Sequence, residues 1–431
     1  MTVPAPPAHE MGGASGPQPA APSGPSCLDG VRRLYRRTGS FVARRAAARA
    51  LLAVPRTTRF AVASLVGRDG GATPAPPLSP LLLAHVAMDE TILALAMAPN
   101  RFPRRADYER VSAEVGAARE LFAARGWLDD PASYHRVPPP LTGEIALTNG
   151  WAMGLPYQQL HFGSGFAPRA EEPGADRWSA FTANRTAVAT VVRHRDGPRP
   201  WLVCLHGFAM GYPFMDFVGL QTERLHHELG LNLVLPVLPL HGPRKATALG
   251  GEQFIGFDLM NAVHGLTQTV WDVRRILSWV RMQEPTAVGL YGVSLGALSA
   301  ALVAGLADPL DCIVAGIPVS DFPALLHAHS PHHVRMRSME HEILGRTADE
   351  VCRVVGPLQF TPKVPIDRRY IFAGVGDRLA PATQATALWR HWREPRIAWY
   401  PGNHVGYLWS RNVARFLGDV LTEAGFAVKE A

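Results

Sequence analysis

Thr286-Ala-Val-Gly-Leu-Tyr-Gly-Val-Ser-Leu-Gly296 is an apolar run that ends in the pattern Gly-x-Ser-x-Gly. The run predicts a buried β-strand, and the small and apolar residues that follow it predict a helix. A serine in this pattern lies on a sharp strand-to-helix turn, which leaves its hydroxyl open above the end of a sheet. Glycines suit so sharp a bend because they carry no side chain that would clash.

The chain alternates predicted strands and helices on both sides of this turn, from about residue 147 onward. The predicted strands are 186–193, 201–205, 232–238, 287–291, 312–317, 370–373 and 397–400. The predicted helices are 217–229, 259–280 with Asp258 as its N-cap, 295–305, 383–392 and 408–421. This alternation is typical of an α/β protein with a doubly wound, mostly parallel sheet. We therefore predict one α/β domain over residues 147–431.

The first 146 residues have a different character, and we divide them into three segments. Residues 1–26 are rich in Pro, Ala, Gly and Ser and are predicted to be disordered. Residues 27–70 form an Arg-rich arm, and residues 71–146 a helical region. Within that region, residues 81–98 are strongly apolar but are interrupted by Asp89 and Glu90. They are too short and too charged to span a bilayer, so we predict a buried helix. Residues 108–125 predict a second helix.

The composition is that of a globular protein with a substantial core: 431 residues, 47% hydrophobic and 18% charged. Residues 27–60 carry nine Arg and one acidic residue, a local charge of +8, so they account for the whole net charge of +7 and the remainder is close to neutral. A solvated arm, a helix docked on the domain and a helix on an anionic membrane surface all fit this segment. Without interleaved aromatic residues it predicts no specific binding of nucleic acid. Four scattered cysteines favour a reduced, cytoplasmic setting without disulfides.

A serine hydroxyl needs a base to become a nucleophile, usually a histidine that is oriented by a carboxylate. On a doubly wound sheet these partners follow the serine in the order acid, then histidine, each after a strand. Asp377 follows the strand 370–373, and His404 follows the strand 397–400. Both loops leave the same sheet edge as Ser294. Asp321, one strand earlier, is a weaker alternative for the acid, and a histidine within the long helix, His264, is expected to be structural.

The developing negative charge of such a reaction needs two N–H donors, which form an oxyanion hole. The backbone N–H of Leu295, at the start of a helix, is one candidate. The second candidate is the N–H of Phe208 in the stretch His206-Gly207-Phe208, with Gly207 as an alternative.

Four stretches in this order resemble the α/β-hydrolase superfamily: His-Gly-Phe, Gly-Val-Ser-Leu-Gly, Gly-Asp-Arg and Gly-Asn-His-Val-Gly. The resemblance covers roughly residues 147–425. It implies a serine hydrolase, similar to esterases and lipases, with Ser294, Asp377 and His404 as the catalytic triad. It also implies that about fifty residues, 320–366, form a cap over the active site. No organic cofactor is implied.

The chain departs from many relatives after the strand 232–238, where it reads Leu-Pro-Leu-His241-Gly-Pro-Arg244. His241 and Arg244 are candidate substrate-binding residues, and Arg244 suits a carboxylate or phosphate. The alternative is that His241 shapes the turn and that Arg244 pairs with an acid at the surface. Four histidines between residues 327 and 333 suggest a metal site, but their spacing and the lack of a nearby carboxylate favour a polar lid.

We therefore expect an enzyme that cleaves a small-molecule ester or thioester through an acyl-enzyme intermediate, without a metal or cofactor. An acyltransferase with the same triad is the first alternative. A non-catalytic scaffold that binds a partner or a membrane surface is the second. The expected location is cytoplasmic, with membrane association left open, and the sequence leaves the acyl chain, the leaving group and the oligomeric state undetermined.

Overall fold

The structure is a computed structural model, and it describes residues 52–66, 72–97, 102–143 and 145–428. The tract predicted to be disordered and residues 27–51 of the arm lie outside the described residues. Their predicted disorder and membrane contact therefore stay predictions. No helix of the described residues is long and apolar enough to cross a bilayer.

A mixed sheet runs through the described part of the chain in the order β1-β2-β3-β5-β4-β6-β7-β8-β9. Strands β1 to β3 pair antiparallel with their neighbours, whereas β4 to β9 are all parallel. The strands are β1 (Ala146–Ala152), β2 (Leu155–Gly163), β3 (Thr186–Val192), β4 (Trp201–Leu205), β5 (Asn232–Pro236), β6 (Val288–Val293), β7 (Cys312–Gly316), β8 (Arg369–Gly374) and β9 (Arg396–Tyr400). This strand order confirms the predicted α/β-hydrolase fold.

The sheet is buried on both faces, as the alternation of side chains along β4 shows. Trp201, Val203 and Leu205 belong to one apolar cluster, and Leu202 and Cys204 to the cluster on the opposite face. The covering helices are α1 (Ala53–Val66), α2 (Pro80–Met97), α3 (Arg105–Ala124), α4 (Ala175–Ser179), α5 (Pro213–Gly219), α6 (Leu259–Arg281), α7 (Leu295–Leu306), α8 (Phe322–His329), α9 (His332–Glu340), α10 (Arg346–Cys352), α11 (Ala382–His391) and α12 (Arg411–Glu423).

Helix α6 begins after Asp258, as predicted, and most of its residues are buried. Helix α3 and the segment around α4 cover its outer side, where Trp178 Nε1 donates a hydrogen bond to Gln268 at 2.9 Å. Asp258 occupies the N-cap position without capping the helix. Its carboxylate instead pairs with Arg110 of α3 at 2.6 Å.

Two predictions about the sheet region need correction. The helix predicted over 217–229 is interrupted: α5 ends at Gly219, and a π-helical turn follows at Arg224–Glu228. Gln221 adopts a positive φ of 53° between them, which α-helical backbone does not allow. Strands β1 and β2 were not predicted, because most residues of β1 are exposed and β2 has no regular alternation of apolar and polar residues.

The helix predicted in the N-terminal region is present as α2, and its buried face packs on the carboxyl edge of the sheet, whereas Leu81 and Met88 are exposed. Leu82 and Val86 lie against Gly376, in the loop after β8. His85 lies beside Gly402, in the loop after β9. Helices α8, α9 and α10 lie between β7 and β8, where the cap insertion was predicted, and their covering of the active site stays a prediction.

Candidate active site

Ser294 lies on a strained turn between β6 and α7. Its φ of 57° and ψ of −119° are unusual for a residue with a side chain. A Cβ on Gly292 would overlap the carbonyl oxygen of Gly296, and a Cβ on Gly296 would overlap that of Leu205. Both glycines are therefore required by close approach of the backbone. The Ser294 N–H donates to Gly316 O at 2.9 Å, which ties the turn to β7.

The structure brings Ser294, His404 and Asp377 together, although 110 residues separate the first two along the chain. His404 Nε2 lies 2.9 Å from Ser294 Oγ, and His404 Nδ1 lies 2.7 Å from Asp377 Oδ2. With Nδ1 protonated by this arrangement, Nε2 is free to accept the serine proton. The geometry is that of a serine activated by a histidine base.

The Asp377 carboxylate is held in place by its own loop. Its Oδ1 accepts hydrogen bonds from the N–H groups of Leu379 at 2.9 Å and Ala380 at 2.8 Å, which leaves Oδ2 for the imidazole. Asp321, the alternative acid, has a different position and caps helix α8 by accepting from Ala324 N at 2.9 Å. The structure thus places Asp377, and not Asp321, beside His404.

His404 is buried next to two carboxylates, and its pKa reflects both. Burial disfavours the imidazolium, but the charge and hydrogen bond of Asp377 and the charge of Asp89 together raise the pKa of His404 above its usual value. Asp377 was predicted from the sequence, whereas Asp89 was not assigned to the site. Two adjacent acids in the middle of an apolar helix were the available signal, because buried carboxylates need partners.

The loop after β4 carries the predicted second oxyanion donor. A Cβ at Gly207 would lie 3.6 Å from Ser294 Cβ, so this loop runs directly beside the serine. The His206 side chain holds this loop in place: its Nδ1 donates to Gly207 O at 2.7 Å, and its Nε2 accepts from Leu238 N at 3.1 Å. Within the described residues, neither the Phe208 N–H nor the Leu295 N–H has an acceptor of its own. Both remain available to a ligand.

The two candidate substrate-binding residues lie in the interior instead of in a pocket. Arg244 is 1% exposed and pairs with Asp272 at 2.8 Å, while its guanidinium also donates to the carbonyls of Val237 and Asn184. Its charge is therefore already matched, which corrects the expectation that it binds substrate. The acid that pairs with it is in the core and not at the surface.

His241 is also fully buried, behind the ring of Phe208 with ring centroids 6.0 Å apart. Its Nδ1 donates to Pro239 O at 2.8 Å, which shapes the turn after β5. Burial and the neighbouring His206 lower the pKa of His241 to about 3, so this imidazole is neutral. The expectation that His241 contacts substrate is therefore also wrong, because its imidazole is buried and bonded to the turn.

The histidines of the cap do not converge. Among the residues that the structure describes, no group of three or more His, Cys, Asp or Glu side chains is arranged to hold a metal ion. His329 instead bonds through Nε2 to the carbonyl of Leu379 at 2.7 Å, so it links α8 to the loop of Asp377. His264, expected to be structural, is buried in α6, and its Nε2 lies 2.9 Å from Pro173 O.

A cavity of about 840 Å³ lies between α1, α2 and the cap. Its lining includes Arg56, Arg378 and Glu90 but not Ser294. Glu90 pairs with Arg378 at 3.0 Å and with Arg56 at 3.3 Å, so its carboxylate is already matched by two guanidinium groups. The cavity therefore adjoins the acid loop without opening onto the nucleophile.

Comparison with known proteins finds two relatives in Mycobacterium tuberculosis: Uncharacterized protein MT2702 of strain CDC 1551 and Uncharacterized protein Rv2627c of strain H37Rv. Each is 42% identical over 346 residues, which are 80% of this chain and 83% of the relative. No family model matches the chain.

Solved structures with a similar chain trace include acetyl xylan esterase 1 from Thermoanaerobacterium sp., with a TM-score of 0.48 and 15% identity over 70% of this chain and 93% of that one. The acetyl xylan esterase from Paenibacillus sp. R4 has a TM-score of 0.46 and 15% identity, covering 70% of this chain and 99% of that one.

Proposed function

We propose that this chain, which belongs to one family with the two Mycobacterium tuberculosis proteins and has an α/β-hydrolase fold, is a serine hydrolase. Its proposed substrate is a carboxylic ester or thioester. The observation that carries the proposal is the pair of hydrogen bonds that joins Ser294 to His404 at 2.9 Å and His404 to Asp377 at 2.7 Å.

In the proposed reaction, His404 Nε2 takes the proton of Ser294 as Oγ attacks the acyl carbon. The carbonyl oxygen becomes an oxyanion, held by the N–H groups of Leu295 and Phe208. His404 then gives its proton to the departing alkoxide or thiolate, which leaves an acyl group on Ser294. Water attacks this acyl-enzyme with His404 again as base, and the acid is released. Asp377 keeps the imidazole in the tautomer that this cycle needs.

The first test is covalent labelling with a fluorophosphonate probe, read by intact mass. Wild type should gain one adduct, and Ser294→Ala should gain none. Ser299→Ala is the matched control, because Ser299 lies in the same helix with its hydroxyl bonded to Leu295 O at 2.9 Å. This control should label like wild type.

The absence of an adduct on folded wild type would contradict the proposed function and favour the scaffold alternative. When an adduct forms, a screen over esters and thioesters with and without an added alcohol or amine follows. Release of the free acid supports hydrolysis. Preferential transfer of the acyl group to the added acceptor supports the acyltransferase instead.

A further inference from the structure

Asp89 of helix α2 is a fully buried carboxylate that holds together the two loops bearing Asp377 and His404. Its Oδ2 accepts from the N–H of His404 and from the N–H of Arg378, both at 2.9 Å. Its Oδ1 accepts from Asn403 Nδ2, also at 2.9 Å. Arg378 follows Asp377 and Asn403 precedes His404, so one side chain fixes both loops from outside the sheet.

The donors around Asp89 are all neutral amides. The nearby guanidinium of Arg378 turns to Glu90 instead, at 3.0 Å. Burying a carboxylate without a paired cation is costly, and an asparagine could accept the same backbone hydrogen bonds without that cost. A carboxylate at this position supplies one thing that an amide does not, a negative charge behind the imidazole.

We propose that Asp89 is a positioning residue for His404, which fixes the His404 loop and stabilises the imidazolium that forms during the reaction. The inference rests on the proposed function, because it assigns His404 as the base. It also makes the N-terminal helix α2 a part of the active site rather than an appendage of the sheet.

The titration of this cluster involves several groups on every element around Asp89. Burial, and after it the charge of Asp377, raise the pKa of Asp89 to about 6, although the charge of His404 acts in the opposite direction. Above that pH Asp89 is charged and favours the protonated imidazole. The titratable and charged groups around it on α1, α2, β9, the cap and the two loops are Arg56, His85, Glu90, His329, Asp377, Arg378, Tyr400 and His404.

Asp89→Asn tests the charge while keeping the shape. The new amide oxygen can accept from both backbone N–H groups, and the Asn403 amide can turn so that its Oδ1, which has no partner in the structure, accepts from the new Nδ2. The readout is the rate of fluorophosphonate labelling as a function of pH. We expect a lower plateau and an acid limb at lower pH, because His404 loses a proton more readily without the second charge.

Glu90→Gln is the matched control, since Glu90 is the neighbouring buried acid of the same helix and faces Arg56 and Arg378. It should leave the acid limb in place. Asp89→Ala removes the acceptor as well as the charge, so we expect labelling to slow by about 100-fold, the order of loss that a displaced catalytic group produces. A purely structural Asp89 would lower the plateau of Asp89→Asn without moving its acid limb, and that result overturns the proposal.

The imidazole resonances of His404, assigned by their loss in His404→Gln, test the same inference without any labelling. In wild type they should show a second inflection near pH 6, where Asp89 takes up its proton. In Asp89→Asn the pKa of His404 should fall. A single wild-type inflection and an unmoved pKa would overturn the role of Asp89. Absent labelling of wild type, in contrast, would contradict the proposed function even if both NMR results were as expected.

Discussion

Replacing Arg244 by Met removes the positive partner of a carboxylate in the core. In the structure, Asp272 is 3% exposed, and its Oδ2 lies 2.8 Å from the guanidinium. Its other oxygen accepts from Ser164 Oγ at 2.5 Å. Methionine fills much of the volume of the arginine stem but supplies no charge and no donor, so Asp272 would keep a single hydrogen bond.

Removing one partner of a buried ion pair typically costs about 3–5 kcal/mol of stability, because the remaining charge stays buried. Both members of this pair are almost fully buried, so we expect Arg244→Met to lose that much. Arg281→Met is the control, since Arg281 and Asp308 form an exposed pair at 3.0 Å. Such a pair is worth about 0–1 kcal/mol.

The loss should depend on pH in a definite direction. Burial raises the pKa of Asp272 above its usual value even with Arg244 present, and without the arginine it should rise further. A carboxyl group with a raised folded-state pKa stabilises the fold at low pH, and that contribution is lost as pH rises. The variant should therefore be closest to wild type in acid and fall behind as Asp272 ionises.

Urea unfolding followed by tryptophan fluorescence at pH 5 and at pH 8 measures both effects. Arg244→Met combined with Asp272→Asn should recover part of the loss, because no charge is then buried. A loss below 1 kcal/mol at pH 8 would refute the reasoning. Intact stability together with reduced turnover would instead restore the interpretation of Arg244 as a substrate contact.

Four further outcomes follow from the structure. Gly296→Ala should abolish fluorophosphonate labelling, since the added Cβ overlaps the Leu205 carbonyl. Gly116→Ala, in open space within α3, should instead stabilise the protein by about 0.5–1 kcal/mol in thermal unfolding. Asp377→Asn should slow labelling by about 10⁴-fold while Tm changes little, because the imidazole then favours the wrong tautomer. In wild type, labelling should fall as pH drops through the raised pKa of His404, and a pH-independent rate would argue against a histidine base.

The sequence predicted the fold and the site best where short motifs lie at strand ends. Strand β4 was predicted with its observed bounds, and β6 to within two residues at either end. Parallel strands place their carboxyl ends at one edge of the sheet, so the sequence predicted that Ser294, Asp377 and His404 lie close together. The structure brings the three side chains within hydrogen-bond distance.

The features that the sequence did not predict depend on tertiary contacts, which a local sequence pattern does not indicate. Arg244 looked like a substrate ligand because its partner, Asp272, lies 28 residues later on another element. Asp89 lies more than 280 residues before the loops that it holds. Only the docking of α2 on the sheet edge shows which donors its carboxylate meets. The broken helix after α5 likewise reflects a positive φ at Gln221 that its side chain does not predict.

The position of α2 gives the N-terminal region a role in chemistry as well as in packing. A doubly wound sheet presents its nucleophile, acid and base on separate loops, whose relative positions must hold within a fraction of an ångström for proton transfer. In this chain α2 places Leu82 and Val86 against the loop after β8 and His85 beside the loop after β9, and its Asp89 carboxylate bonds to both loops. The two loops also contact each other directly, since the Gly376 N–H donates to Gly402 O at 3.0 Å. Undocking α2 would therefore remove the second charge and the acceptor of the His404 N–H in a single step, without a change at Ser294 itself.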